Sequence, residues 1–193
     1  ILITIGFMLV LTEMLKVVFG PNQIAARTPE FLSGSWEVGD VIIIKYRVFI
    51  IIMGFLVFGI FQYILKKTKI GLIVSAGVMN KEMVQALGIN IKNVFLYVFI
   101  TGAALAALGG ALMAPYSGVI YAEMGMEFAI LGFIVVVIGG MGSFPGSLLA
   151  AIIVGITGSY MAYYVPSLSL AVNMMIMAIV LVFRPQGLFR ANG

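Results

Sequence analysis

The chain has 193 residues, of which 63% are hydrophobic and 9% are charged, with a mean hydropathy of +1.20 and a net charge of +4. Soluble domains contain about 45–50% apolar and about 25% charged residues, so this composition excludes a soluble globular protein and predicts an integral membrane protein. Because the sequence contains neither Cys nor His, disulfides, thiolate nucleophiles and imidazole-based metal or acid–base sites are excluded.

Long apolar runs, interrupted by glycine, proline and charged residues, predict an all-α, polytopic transmembrane bundle. In chain order they predict about six spans, at about residues 1–19, 44–65, 93–113, 128–139, 147–164 and 168–183. The first run begins at Ile1 without Met or a charged leader, so we expect an N-terminally truncated chain. Residues 1–193 are predicted to form a single transmembrane domain.

Basic residues near the span ends predict the orientation in the membrane, because they are concentrated on the cytoplasmic side. We therefore expect residues 66–92 and the C-terminal tail to be cytoplasmic, and residues 20–43 and 114–127 to lie outside. The residues that carry this prediction are Lys66, Lys67, Lys69, Lys81, Lys92, Arg184 and Arg190. They do not form a basic face interleaved with aromatic residues, so nucleic acid is not an expected partner.

Small residues recur at four-residue spacing in the third and fifth spans. In lipid, such stripes let helices approach closely, so we predict helix packing, with the lining of a translocation path as the alternative. The stripes consist of Gly102, Ala106, Gly110 and Ala114, and of Ser147, Ala151, Gly155 and Ser159.

Glycines and a proline also interrupt the apolar sequence between residues 139 and 146. Non-helical backbone at membrane depth requires protein or a water-filled cavity to satisfy its polar groups. A tight inter-helix turn and a broken element beside the translocation path both fit this requirement. The glycines concerned are Gly139, Gly140, Gly142 and Gly146.

The polar segment between the second and third spans is longer than a simple connection requires. Residues 80–87 predict a short helix of about two turns, with Val84 and Leu87 on one side and Lys81 and Gln85 on others. Gly88 would end this helix, and Asn90 would cap the next span. We predict that residues 66–92 form a cytoplasmic loop whose short rod docks into a groove of a partner, through Asn80, Lys81, Glu82, Met83, Val84, Gln85, Ala86, Leu87 and Gly88.

Ionisable residues are scarce within the predicted spans. Glu13 and Lys16 lie three residues apart in the first span and could form a pair near its outer end. The other spans have no mid-depth Asp or Glu, which argues against a proton- or sodium-coupled carrier. No phosphate-binding G-x-x-x-x-G-K-[ST] motif is present, so any ATP chemistry must reside on another subunit. Neither an enzyme active site nor a cofactor site is predicted.

Several segments occur in the order found in branched-chain amino acid ABC transporter permeases, which the chain resembles over nearly its whole length. The segments are Thr68-Lys69-Ile70-Gly71, Glu82-Met83-Val84-Gln85-Ala86-Leu87-Gly88-Ile89-Asn90, Val137-Ile138-Gly139-Gly140-Met141-Gly142-Ser143 with Pro145-Gly146, and Arg184-Pro185-Gln186-Gly187-Leu188-Phe189. The chain is similar to the C-terminal two-thirds of such a permease, although Met83 and Val84 replace the usual pair of alanines in the docking loop. The resemblance implies a second permease subunit, two cytoplasmic ATPases and an extracytoplasmic solute-binding protein as partners.

These observations lead to the hypothesis of an inner-membrane permease subunit of an ATP-driven importer for branched-chain or related small amino acids. Amide and urea importers share much of the pattern, so the substrate class stays open among these solutes. The alternatives are an ATP-independent channel or ion-coupled secondary transporter for small solutes, and a structural membrane scaffold, which would not need a docking rod. ATP-independent passage of substrate would distinguish a channel.

Overall fold

The computed structural model describes residues 2–38 and 41–189, which are predominantly helical. The helices of this part of the chain are α1 Leu2–Phe19, α2 Lys45–Lys67, α3 Lys69–Met79, α4 Lys81–Ala86, α5 Ile91–Ser117, α6 Met124–Gly139, α7 Phe144–Tyr164 and α8 Ser169–Phe183, with 3₁₀ turns at Glu30–Leu32 and Pro166–Leu168. Within residues 2–38 and 41–189, four short strands, β1 Ile24–Ala25, β2 Ser35–Val38, β3 Val41–Ile44 and β4 Val119–Ile120, form two antiparallel pairs, β1 with β4 and β2 with β3. The chain divides into two compact units, Ile1–Gly125 and Met126–Gly193, within the sequence predicted to form one transmembrane domain.

Among the described residues, five helical segments are long and apolar enough to cross a membrane, namely Leu2–Phe19, Lys45–Lys67, Ile91–Ser117, Phe144–Tyr164 and Pro166–Phe183. They confirm the all-α, polytopic class and match five of the six predicted spans. The remaining predicted span corresponds to α6, whose 16 residues measure about 24 Å and fall short of the hydrocarbon core of about 30 Å.

Two boundaries differ from the sequence prediction. Residues 66–92 are not a loop with a single short helix, because the apolar residues after Thr68 form the additional helix α3 before α4 begins. The third span was predicted to end before Pro115, but α5 continues through this proline to Ser117. It ends at Gly118, whose φ of 73° allows the reversal and whose N–H donates to the Ala114 carbonyl at 3.1 Å.

In the first unit, a hydrogen bond joins the N-terminal end of α2 to the C-terminal half of α5. The Tyr46 hydroxyl donates to the Leu112 carbonyl at 2.8 Å, and β1 pairs with β4 nearby in sequence. The 23 residues of α2 span about 34 Å, so residues 66–91 lie at the opposite end of this unit. The segments predicted to be outside and the segment predicted to be cytoplasmic are therefore at different ends of the first unit.

An ion-pair cluster lies at the same end as Tyr46. The predicted pair is present, with Lys16 Nζ 2.9 Å from Glu13 Oε1, and Lys16 also lies 2.7 Å from Glu123 Oε1. The hydrogen bond from Lys16 holds the pKa of the Glu123 carboxyl below its ordinary value. Lys45 and Arg47, at the start of α2, lie over aromatic rings here, 5.8 Å from the centre of the Trp36 ring and 5.5 Å from that of Tyr116.

The second unit has its buried core between α6 and α7, at Ile134, Ile138, Ala150 and Val154. The glycine-rich segment is a tight turn joining these helices. The Ser143 side chain caps α7 by accepting the Gly146 N–H at 3.2 Å, and a Cβ on Gly139 would lie 2.6 Å from the Ser147 nitrogen. Glycine is required here because the two helix ends meet backbone to backbone.

The segment after α8 packs against this turn. The Leu188 N–H donates to the Ile138 carbonyl at 2.8 Å, and the Phe189 N–H donates to the Gly139 carbonyl at 3.3 Å. Gly140 and Gly187 have φ angles of 95° and 80° and touch through their backbones, so a Cβ on Gly187 would lie 2.5 Å from the Gly140 nitrogen. The glycine-rich segment and the Arg184–Phe189 segment are far apart in the sequence but pack together through their backbones. We call this contact the backbone junction. Arg190 lies outside the described residues.

Gly146→Ala should destabilise the second unit, whereas Gly155→Ala should not. A Cβ at position 146 meets the Gly139 carbonyl and lies 2.9 Å from Ser143 Oγ, so the turn must open, at a cost of about 1–3 kcal/mol. A Cβ at Gly155 meets nothing within 4 Å, and alanine favours the helix by about 0.5–1 kcal/mol. Helix content of each purified variant during denaturant unfolding in detergent measures the difference. Equal midpoints for the two variants would contradict the turn geometry.

Candidate docking site

The short helix α4 begins where α3 ends, at a single residue. The Asn80 N–H donates to the Ala76 carbonyl at 2.9 Å and closes α3, while Asn80 Oδ1 accepts the Met83 N–H at 3.0 Å and opens α4. Asparagine is among the best N-cap residues, because its side-chain oxygen satisfies a backbone donor that has no intrahelical partner. Asn80 therefore changes the chain direction without a flexible connection.

The other end of α4 is closed by a Schellman motif. The Ile89 N–H donates to the Val84 carbonyl at 3.4 Å, and the Gly88 N–H donates to the Gln85 carbonyl at 2.9 Å. Gly88 has a φ of 83°, which favours glycine at this position. Asn90 then caps α5 by accepting the Asn93 N–H at 3.4 Å. Both ends of the rod are fixed by hydrogen bonds.

The inner side of α4 is packed against its neighbours in the first unit. Val84 is 4% exposed and Ile91, at the start of α5, is 3% exposed. Gly77 of α3 leaves room for Ile91, since a Cβ there would lie 3.4 Å from Ile91 Cγ1. The Lys81 ammonium lies 5.3 Å from the centre of the Phe95 ring of α5. The rod is thereby seated on α3 and α5.

The connection continues into α2 through a second close approach. Thr68 caps α3 by accepting the Gly71 N–H at 3.4 Å. Gly71 is buried, and a Cβ there would lie 2.6 Å from the carbonyl carbon of Leu65. The helices from α2 to α5 therefore form one packed series, with α4 at its tip.

The outer side of α4 presents a carboxylate beside an apolar pair. Glu82 is exposed in the first turn, where the helix dipole favours an acidic side chain. Met83 and Leu87 are four residues apart and 67% and 74% exposed. The sequence placed Leu87 beside Val84, but Leu87 is the C-cap residue and points away from the packed side. Lys81, Gln85, Ala86 and Gly88 are also exposed. The exposed side of α4 therefore combines one carboxylate with two large apolar side chains.

The other residues singled out in the sequence lie in two kinds of environment. Gly139, Gly140 and Gly146 are buried in the backbone junction, and Gly142, with a φ of 90°, is exposed beside it. Within the described part of the chain, a Cβ on Gly102, Gly110 or Gly155 would meet nothing within 4 Å. Ala106 is exposed as well. These stripe residues are open to lipid, another subunit or a path, and their role stays a prediction.

The structure also contains a buried polar contact that the sequence analysis missed. Asn173 of α8 is 4% exposed, and Thr157 of α7 donates to its Oδ1 at 3.4 Å. Gly158 makes room for the amide, because a Cβ there would lie 3.1 Å from Asn173 Nδ2. A lone Asn in an apolar run was the available signal, since polar groups within spans face protein.

Comparison with known proteins gives consistent matches over most of the chain. A family model described as "Branched-chain amino acid transport system / permease component" matches residues 1–184. The high-affinity branched-chain amino acid transport system permease protein BraD of Pseudomonas aeruginosa is 31% identical over 160 residues, which cover 82% of this chain and 52% of BraD. The corresponding Escherichia coli permease LivH is 27% identical over 190 residues, which cover 95% of this chain and 61% of LivH.

A more distant match is the ribose import permease protein RbsC of Haemophilus influenzae, 32% identical over 107 residues, which cover 52% of this chain and 33% of RbsC. The chain spans between half and two-thirds of the length of BraD and LivH. No solved structure matches the chain significantly.

Val84→Ala should loosen α4, whereas Met83→Ala should not. Val84 is 4% exposed and Met83 is 67% exposed, so only the first substitution removes buried methyl groups, worth about 1–2 kcal/mol. Amide hydrogen exchange of residues 81–89 in lipid nanodiscs should become about 5- to 30-fold faster for Val84→Ala. Met83→Ala serves as the matched control for side-chain truncation on the same helix. Unchanged exchange in Val84→Ala would show that α4 is not held by this contact.

Proposed function

The chain belongs to the family of branched-chain amino acid transport system permease components, and we propose that it is the membrane-spanning permease subunit of an ATP-driven importer for branched-chain or related small amino acids. It is a multi-pass protein of the inner membrane. The proposed partners are a second permease subunit, two cytoplasmic ATP-binding subunits and an extracytoplasmic solute-binding protein. BraD and LivH are named as branched-chain amino acid permeases, which supports the substrate class.

The observation that carries this proposal is the seating of α4. An ordinary solvated loop would not need Asn80 and Gly88 to fix the two ends of a six-residue helix. One side of α4 exposes Glu82, Met83 and Leu87, whereas Val84 on its other side is buried. An ATP-binding subunit that binds the exposed side of α4 would therefore push on a helix that is packed against α3 and α5.

Coupling to transport follows from this packing. Movement of α4 is transmitted through Val84, Gly77 and Ile91 to the cytoplasmic ends of α3 and α5, and through Gly71 to α2. Packed helices shift as rigid elements between discrete arrangements, which is what alternating access requires. The ATPase cycle and the orientation of the spans become linked through one two-state element.

The translocation path is proposed to run along apolar and small-residue surfaces of the bundle. The α5 stripe of Gly102, Ala106 and Gly110 is open in the described chain, so a second permease subunit can approach it closely. An aliphatic side chain loses little on such a surface, and backbone groups accommodate the ammonium and carboxylate of an amino acid.

Glu82→Ala should weaken coupling while leaving membrane insertion intact. A hydrogen bond to a charged group contributes about 1.5–3 kcal/mol, so loss of the carboxylate should weaken association with the ATP-binding subunits by about 10- to 150-fold. Gly88→Pro should have a similar effect, because proline cannot adopt a φ of 83° and lacks the N–H that bonds to Gln85. Co-purification of the ATP-binding subunits and ATP-dependent uptake in proteoliposomes are the measurements.

Glu30→Ala is the matched control, since Glu30 is an exposed acid in the segment at the other end of the first unit. It should keep normal association with the ATP-binding subunits and normal uptake. Wild-type uptake by both Glu82→Ala and Gly88→Pro would show that α4 is not the coupling element. Uptake that proceeds without ATP in the unaltered chain would favour a channel.

A further inference from the structure

The end of α7 farthest from the glycine-rich turn carries three exposed tyrosines. Tyr160, Tyr163 and Tyr164 are 61%, 83% and 62% exposed. The ring centres of Tyr160 and Tyr164 are 4.8 Å apart, and those of Tyr163 and Tyr164 are 5.1 Å apart with an edge-on arrangement. Residues three and four apart share a helix face, so the rings form one patch, which we call the tyrosine cluster.

No ionic group fixes the depth of this part of the chain in a membrane. From Phe128 to Phe183 the sequence contains no Asp, Glu, Lys or Arg, and Arg184 follows only at the other end of α8. The connection from Val165 to Ser169 has no charged side chain. By contrast, α2 has Lys45 and Arg47 near one end and Lys66 and Lys67 at the other. The α7–α8 connection therefore needs an anchor other than a charged side chain to keep it at the membrane–water interface.

The tyrosine cluster has the position and the chemistry of such an anchor. The 21 residues of α7 measure about 31 Å, close to the thickness of a hydrocarbon core of about 30 Å, so its last turn falls at a membrane boundary. Tyrosine combines an apolar ring with a polar hydroxyl and is enriched at both membrane–water interfaces. Three exposed rings on one face can enter the upper acyl region while their hydroxyls stay among polar groups.

We propose that the tyrosine cluster anchors the α7–α8 connection in the phospholipid headgroup layer of the leaflet opposite Arg184. The hydroxyls donate hydrogen bonds to ester and phosphate oxygens of the lipid, and the rings exclude water from the end of the span. The anchor holds the two polar residues Ser167 and Ser169 at the surface, and it sets the height of the α7–α8 pair. The competing account is that the cluster stands in water, where a protein partner would cover it, and the test distinguishes these two positions.

The first test measures the depth of the cluster in the full chain reconstituted alone in phosphatidylcholine vesicles. The chain has a single Trp, so Trp36→Phe combined with Tyr164→Trp places the only Trp fluorophore in the cluster. Lipids brominated near the glycerol should quench its fluorescence several-fold more than lipids brominated near the acyl-chain end. Aqueous acrylamide should quench it weakly. Strong acrylamide quenching without quenching by brominated lipid would overturn the proposal and favour a protein partner.

The second test measures whether the cluster holds the connection at the surface. The sequence lacks Cys, so Ser167→Cys gives a single exposed thiol between α7 and α8. Replacing all three tyrosines by Leu should slow its labelling by a membrane-impermeant maleimide several-fold, because the connection sinks. Replacing all three tyrosines by Phe keeps the rings, so this variant should slow labelling less than the triple Leu variant does. It is the control for misfolding caused by a triple substitution.

Tyr63→Leu is the matched control for the labelling test. Tyr63 is 66% exposed near an end of α2 where Lys66 and Lys67 remain to set the depth. This substitution should leave the labelling of the Ser167→Cys thiol unchanged. Equal labelling rates for the unaltered cluster and the triple Leu variant would contradict the anchoring role, even if the depth measurement places the fluorophore of the Tyr164→Trp variant at the headgroups.

Discussion

The structure depends on one constraint, that a chain this apolar must satisfy its own backbone hydrogen bonds wherever a helix ends. Four of the described helices, α3, α4, α5 and α7, accordingly begin at a capping side chain. The oxygens of Thr68, Asn80, Asn90 and Ser143 each accept the N–H of the residue three positions later. Glycines with positive φ close several of the opposite ends. The turns are thereby as fixed as the helices they join.

The same constraint explains why the proposed coupling segment α4 can be both short and rigid. Six residues are too few for an independent helix, because nucleation is unfavourable and few internal bonds form. Helix α4 persists because Asn80 and Gly88 satisfy its ends and because Val84 is buried against its neighbours. Rigidity at the tip of a helix series is what coupling to an ATP-binding subunit needs, while the exposed side stays available for contact. The stability of α4 and its proposed function therefore arise from different faces of the same helix.

Local features of the sequence predicted most of the fold, because apolar length, caps and glycines act over a few residues. The five long spans and the Glu13–Lys16 pair follow from such short-range rules. Helix α3 was missed because the lysines before it and Asn80 after it made an apolar run resemble part of a polar loop. The contacts of Lys16 with Glu123 and of Gly140 with Gly187 join distant positions, and no periodicity indicates them. A four-residue spacing showed that Gly102 and Gly110 share a face, but spacing does not identify what lies opposite.

The proposed coupling requires α4 to move together with α5 as one rigid piece, and a distance measurement tests this requirement most directly. Spin labels at Gln85→Cys and Leu108→Cys report on the exposed side of α4 and on mid-α5 in an otherwise Cys-free chain. In the assembled transporter, electron–electron double resonance should give one narrow distance distribution that is the same without nucleotide and with ATP bound. A broad distribution, or a shift of several ångströms on ATP binding, would show that α4 moves independently and would contradict the proposed coupling.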